Sequence, residues 1–77
     1  MVKWHSEDEV YVGDMVGNAL PLRIGVVQVG RRVTVGIQHK NASSDQPAYT
    51  LDLLAIQAMI TALTEQRSEL MKRSGGL

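Results

Sequence analysis

The segment that most constrains this chain covers residues 53–64, LLAIQAMITALT, which has helical spacing and no charged residue. A surface helix normally keeps polar or charged residues on the side that faces water, and a helix that is apolar on all sides is normally buried. The chain has only 77 residues, and a domain of that size buries only about 60% of the surface that its unfolded form exposes. We therefore expect this helix to face another part of the chain or another chain.

The composition limits the ways in which so small a domain can be stabilised. Small cores often need disulfides, a metal or a partner chain. Cysteine is absent, which excludes disulfides and zinc sites built on thiolates. The eight basic and eight acidic residues give a net charge of zero. The chain therefore lacks the overall positive charge that drives non-specific binding to nucleic acids, and its copies repel each other little.

The clearest β-structure is predicted for Leu22–Val29 and Arg32–Gln38, where apolar residues alternate. Gly30 and Arg31 fit a two-residue type II′ turn between the two strands, because glycine occupies the first central position. This register places like residues opposite each other: Ile24 and Ile37, Val26 and Val35, Gly25 and Gly36. A three-residue turn would instead place Val27 and Val29 beside the row of residues that contains Val33.

Shorter extended segments flank this hairpin. Residues 9–16 alternate until a Gly-Asp pair interrupts them, and residues 47–50 can return beside the second hairpin strand. A polar loop over residues 39–46 precedes that return. Residues 1–8 show no periodicity, and we expect them to be a loose or edge segment. We expect residues 74–77 to be loose.

The C-terminal helix is predicted from Leu51 to Lys72, with Thr50 as its N-cap and Gly75 as its terminator. One stripe at alternating steps of three and four, interrupted once by Arg67, should pack on the sheet: Leu53, Ile56, Ile60, Leu63 and Leu70. The sequence thus predicts a single α+β domain over residues 1–77, an antiparallel meander of three or four strands with one long C-terminal helix packed on one face.

An adjoining side of the helix carries small or apolar residues that this packing leaves unused. Alanine is the best helix former and needs no partner, which is one explanation of its frequency here. Close contact between helices is the other explanation, because small side chains let two backbones approach. The residues expected in a contact with another protein are Leu54, Ala55, Ala58, Met59 and Ala62.

No combination of residues predicts catalysis, a metal site or a cofactor. The serines lie outside G-x-S-x-G and S-x-x-K motifs, and the glycines form neither G-x-G-x-x-G nor a P-loop. His5 precedes Glu7, Asp8 and Glu9, but this spacing matches no recognised metal-ligand pattern. We interpret these residues as a solvated acidic segment and expect the protein not to be an enzyme.

Basic residues at the hairpin turn support a different class of function. Arg31 and Arg32 mark the turn, with Arg23, His39 and Lys40 at neighbouring strand ends. A two-stranded ribbon can enter the major groove of DNA, and Arg31, Arg32 and Lys40 would then be the contacting residues. Alternatively, these charges only solubilise an exposed turn.

Part of the chain resembles known small proteins. The string VTVGIQHK, a polar loop and the string PAYTLDLLAIQAMITAL together resemble small uncharacterised proteins from actinobacteria and their phages. The resemblance covers roughly Val33 to Leu63. It implies a strand-rich first part, an Ala/Leu-rich closing helix and a role as an accessory protein, and it assigns no functional residue.

Together these observations predict a non-enzymatic interaction module that forms a homodimer and binds another, unidentified protein. A nucleic-acid-binding regulator is the first alternative. The second is a protein that sequesters a small molecule, with Gly25 and Gly36 giving access to the backbone. Acidic residues soon follow Lys3, and no apolar run reaches the roughly 18–20 residues needed to span a bilayer. We therefore expect a cytoplasmic protein without a membrane partner.

Overall fold

The structure, a computed structural model, describes residues 1–75. It contains one antiparallel sheet followed by one helix, which confirms the α+β class. The sheet has five strands, one or two more than the sequence predicts. In chain order the elements are β1 (Val2–Trp4), β2 (Asp8–Gly13), β3 (Ala19–Val29), β4 (Arg32–His39), β5 (Tyr49–Leu51) and α1 (Leu53–Arg73).

The additional strand lies in the N-terminal segment, at the edge of the sheet. Of the two expectations for residues 1–8, the edge segment is therefore confirmed and the loose segment is wrong. β1 and β2 both pair with the same edge of β3, one after the other. Between them, residues 5–7 lie opposite only residues 25–26. The N-terminal segment thus has one residue more than β3 at this point, which makes a β-bulge. As a result, even-numbered side chains of β1 and of β2 point to opposite faces of the sheet. The sequence does not predict β1, because a strand of three residues is too short to show periodicity.

The central hairpin has the predicted register. Ile24 pairs with Ile37, Val26 with Val35, and Gly25 with Gly36. Gly30 has a φ of 63°, and none of the described non-glycine residues has a positive φ. A positive φ at the first central position alone is the signature of a type II′ turn. The three-residue alternative is therefore wrong.

The β2–β3 connection is organised by one carboxylate. Asp14 Oδ1 accepts hydrogen bonds from the backbone N–H groups of Val16 (3.0 Å) and Asn18 (2.8 Å). These bonds favour the ionised carboxylate, above all the one from Asn18, and lower the pKa of Asp14. Gly17 supplies a left-handed residue, with a φ of 91°. The interruption that the sequence predicts at residues 13 and 14 is therefore a turn closed by hydrogen bonds.

One face of the sheet, which we call the closed face, is covered by the chain itself. Val27 is fully buried there, and Gln38 is only 4% exposed. The Gln38 side-chain amide donates to the carbonyls of Ser44 (2.8 Å) and Gln46 (3.0 Å). The Trp4 indole N–H donates to a third carbonyl of the same loop, at Asp45 (2.9 Å). These bonds hold the polar loop between β4 and β5 over the sheet.

The helix begins two residues later than the sequence predicts. Its N-cap is Asp52, whose carboxylate accepts from the Ala55 N–H at 2.8 Å. Thr50 is not the cap, because Thr50 and Leu51 belong to β5 and pair with β4. At the other end Gly75 has a φ of 75°, as expected for the residue that ends a helix. Of the predicted loose end, residues 76 and 77 lie outside the described residues.

Candidate interaction surface

The other face of the sheet, which we call the open face, is apolar and faces α1. Opposed residues of an antiparallel pair point to the same side. The register therefore places apolar residues from four strands on this face, and they are Val10, Val12, Leu20, Leu22, Ile24, Val26, Val33, Val35, Ile37, Tyr49 and Leu51. Sequence reasoning did not assign Val10 and Val12 to this surface, although their alternation with Tyr11 was visible, because the pairing partner of β2 was unknown.

α1 approaches the open face without closing on it. A groove of about 210 Å³ separates the helix from the sheet. Ile24 and Ile37 line its sheet side, while Ile56, Ile60 and Leu63 line its helix side. Three residues of the predicted helix stripe thus face the predicted strands. Leu70, also predicted in the stripe, does not line this groove and is 66% exposed. None of the described helix residues is buried, however, so the expected close packing is not reached.

A second groove, of about 440 Å³, lies where the helix begins. Val26 and Val33 line it from the sheet, and Leu53 and Leu54 line it from α1. Both leucines are more than four-fifths exposed, at 86% and 83%. Leu53 therefore does not pack on the sheet as predicted, because the chain turns from β5 into the helix at this point.

The total exposed surface is large for a chain of this mass. A folded monomer of 8.5 kDa has an accessible surface of about 4,700 Å² according to the usual scaling. This chain exposes 6212 Å². The excess is about 1,500 Å² by the same scaling. Among the described residues, Val27 is the only buried hydrophobic residue. The open face and α1 therefore do not make a complete core.

The five residues predicted as a protein contact do not lie on one surface. Met59 points into the smaller groove, and Leu54 borders the larger one. Ala55 is partly covered, whereas Ala58 and Ala62 are exposed. The uncharged part of α1 consequently presents apolar atoms both toward its own sheet and away from it.

The predicted basic residues are also separated. Arg31 and Arg32 are exposed at the β3–β4 turn, whereas Lys40 follows the opposite end of β4 and forms an ion pair with Glu9. This pair raises the pKa of Lys40 and lowers that of Glu9, because each charge stabilises the other. The structure therefore does not bring Lys40 to the hairpin turn.

Arg23 serves the closed face. Its guanidinium lies 4.2 Å from the centre of the Trp4 ring. The same group donates to Gln38 Oε1 (3.1 Å) and pairs with Glu7 at 3.2 Å. These contacts hold the N-terminal segment against the sheet, so this arginine is occupied within the chain.

The two opposed glycines give no ligand access to the backbone. A Cβ on Gly25 would lie 1.8 Å from the carbonyl oxygen of Ser6. A Cβ on Gly36 would lie 2.7 Å from Val27 and 3.1 Å from the Trp4 ring. Both sites are filled by the chain itself, so the basis for a small-molecule site at these glycines is wrong.

The acidic N-terminal segment is distributed among separate partners. His5 Nε2 lies 3.0 Å from the side-chain oxygen of Gln28, while Glu7 and Glu9 pair with the two basic residues described above. Within residues 1–75, no three potential ligands among His, Asp and Glu lie close enough to hold a metal ion.

Comparison with known proteins adds no assignment. No protein-family model, curated protein or solved structure matches this chain. Over residues 1–75, no helix combines the length and the apolar character needed to cross a membrane. The open face is consequently the candidate functional site on the strength of its own geometry.

Proposed function

We propose that this protein is a non-enzymatic interaction module of the cytoplasm, which forms a homodimer and binds another protein. The observation that carries the proposal is the excess of about 1,500 Å² of exposed surface over a folded monomer of equal mass. Interfaces of obligate homodimers bury upward of about 1,000 Å² on each subunit. The excess has the size of one side of such an interface.

The character of the surface supports the same proposal. The open face carries aliphatic side chains from four strands, and large exposed apolar patches mark sites of protein association. Polar residues at its margin, such as Gln28, Asp8 and His39, match the polar rim of a typical interface. A net charge of zero lets two copies approach without mutual repulsion.

Sedimentation equilibrium at micromolar concentration tests the homodimer. We expect the mass of a dimer for the unmodified chain and a shift toward monomer for Ala58→Glu, because the substitution would bury a charge in the contact. Ser68→Glu is the matched control, since it adds the same charge to the part of α1 that is already charged. A monomer mass for the unmodified chain would contradict the proposal.

The second partner would bind where the dimer contact ends. From Glu65 onward α1 carries charged residues, and beyond Leu63 no helix residue lines either groove. Leu70 is 66% exposed in this region. We expect a protein retained from a lysate of the source organism to be lost with Leu70→Glu and kept with Ser68→Glu. Equal retention by both variants would place the contact elsewhere.

Nucleic-acid binding is the second candidate, and one observation favours it. Arg31 and Arg32 are both exposed at the tip of a two-stranded ribbon, and among residues 1–75 no salt bridge engages them. Binding to mixed-sequence DNA or RNA, measured by fluorescence anisotropy, should weaken steeply with added salt. It should also be lost with Arg31→Ala/Arg32→Ala. The absence of binding at low salt would remove this candidate.

A further inference from the structure

Two apolar surfaces of this chain have no partner within residues 1–75. The first, which we call the outer helix side, consists of Ala58 and Ala62. At 3.6 residues per turn it lies roughly 150° around the helix from the stripe that faces the sheet. Both alanines are exposed, whereas Leu54 borders the larger groove toward the sheet.

The second surface, which we call the uncovered row, consists of Val10, Val12 and Leu22 on β2 and β3. These residues lie on the open face, but none of them lines a groove with α1. The helix meets the sheet chiefly at β5, on the far side of β4. Val10 and Val12 therefore remain 42% and 39% exposed on the side of the sheet that should be covered.

The two surfaces cannot meet within one chain, because the outer helix side points away from the sheet to which α1 is attached. We infer that they meet between two copies: the outer helix side of each copy packs on the uncovered row of its partner. This inference rests on the proposed homodimer and specifies its geometry. A contact of this kind is isologous, since each copy gives and receives the same surface, and it closes after two subunits.

This arrangement accounts for the absence of charge from residue 53 to residue 64. In the dimer the uncharged part of α1 lies between two sheets, with its stripe toward its own sheet and its outer side toward the partner's sheet. A helix covered on both sides has no solvated side that needs charged residues. Alanine at positions 58 and 62 lets the helix backbone approach the partner's strands closely. Charged residues begin again at Glu65, and at that point the helix would extend beyond the two sheets.

Engineered cysteines test the contact directly, because the chain contains no cysteine of its own. We would prepare the double variant Val10→Cys/Ala58→Cys and treat it with a short bismaleimide, whose reach does not demand disulfide geometry. The control is Tyr11→Cys/Ala58→Cys, since Tyr11 is exposed and adjacent to Val10 but points to the opposite face of the sheet. We expect a covalent dimer from the first variant and its loss in the control.

The possible outcomes separate this inference from the proposed function. Cross-linking of Ala58→Cys alone would keep the homodimer but overturn the inferred geometry, because the two outer helix sides would then face each other. Equal cross-linking of the test and control variants would also overturn it. A monomer mass in sedimentation would remove both proposals.

A measurement on the unmodified protein avoids any effect of the substitutions on folding. In a mixed sample of isotope-labelled and unlabelled chains, isotope-filtered NMR detects only contacts between copies. We expect such contacts between the methyl groups of Ala58 or Ala62 and those of Val10 or Val12. A dimer whose intermolecular contacts lack these pairs would contradict the inference.

Discussion

At the scale of single residues, the bulge between β1 and β2 depends on the absence of a side chain at residue 25. The Ser6 carbonyl oxygen occupies the position that a Cβ of Gly25 would take, 1.8 Å away. The obstacle is backbone, which cannot rotate away as a flexible side chain can. The same bulge places Trp4 on the closed face, where its ring contacts Arg23. One glycine therefore determines how the N-terminal segment covers the sheet.

We expect Gly25→Ala to lower the free energy of unfolding by at least about 1–3 kcal/mol, the usual cost of overpacking. Gly13→Ala is the matched control, because nothing lies within 4 Å of a Cβ at that strand residue. Urea denaturation of both variants measures the difference. Equal stability of the two variants would show that the segment around Ser6 does not lie against β3.

At the scale of elements, the start of α1 is determined by the pairing of β5. Leu51 opposes Val35 and Thr50 opposes Gly36, so both residues are extended and neither can begin a helix. Asp52 is the first residue free of the strand, and its carboxylate accepts the Ala55 N–H. The sequence prediction of Thr50 rests on threonine being a good N-cap, and aspartate is one as well. Only the length of β5 distinguishes the two residues.

We expect Asp52→Ala to lower the free energy of unfolding by about 0.5–2 kcal/mol, the usual cost of removing an N-cap side chain. Thr50→Ala should cost less than Asp52→Ala, since the threonine side chain caps no helix here. Asp52→Asn should keep most of the stability, because asparagine caps as well as aspartate. Chemical denaturation followed by helical circular dichroism measures all three variants. A larger loss for Thr50→Ala than for Asp52→Ala would contradict the observed cap.

At the scale of the whole molecule, the two faces of the sheet differ in how they are covered. The closed face is satisfied within the chain, by the loop that Gln38 and Trp4 hold in place. Within the described part of the chain the open face is covered by α1 alone, and the grooves beside the helix remain apolar and accessible. One chain thus covers the centre of one face and leaves the other face covered only in part. A second copy supplies the remainder in the dimer that we propose.

We therefore expect the thermal stability of this protein to depend on its concentration, because dissociation accompanies unfolding of an obligate dimer. A tenfold increase in protein concentration should raise Tm by about 4 °C for a dimer of this length. Differential scanning fluorimetry over two decades of concentration measures the effect. A Tm independent of concentration would show that the single chain is stable with its open face in water.

Local sequence was sufficient for the features that local chemistry controls. The hairpin register follows from a glycine at the turn and from alternating apolar residues on both sides of it, and the structure has that register. The C-terminal helix, its uncharged segment and the α+β class follow from spacing and composition in the same way. In each case the determining residues lie within a few positions of one another.

Contacts between distant residues decided the rest. The pairing of β1, the position of the Ser6 carbonyl over Gly25 and the burial of Gln38 join segments that carry no mutual signal in the chain. The grouping of the predicted contact residues also changed, because the direction of α1 over the sheet decides which side of the helix meets water. The sequence by itself predicted that the uncharged part of the helix faces another part of the chain or another chain. The tertiary structure alone decided which sides the chain leaves uncovered, because that depends on where the chain places its limited apolar surface.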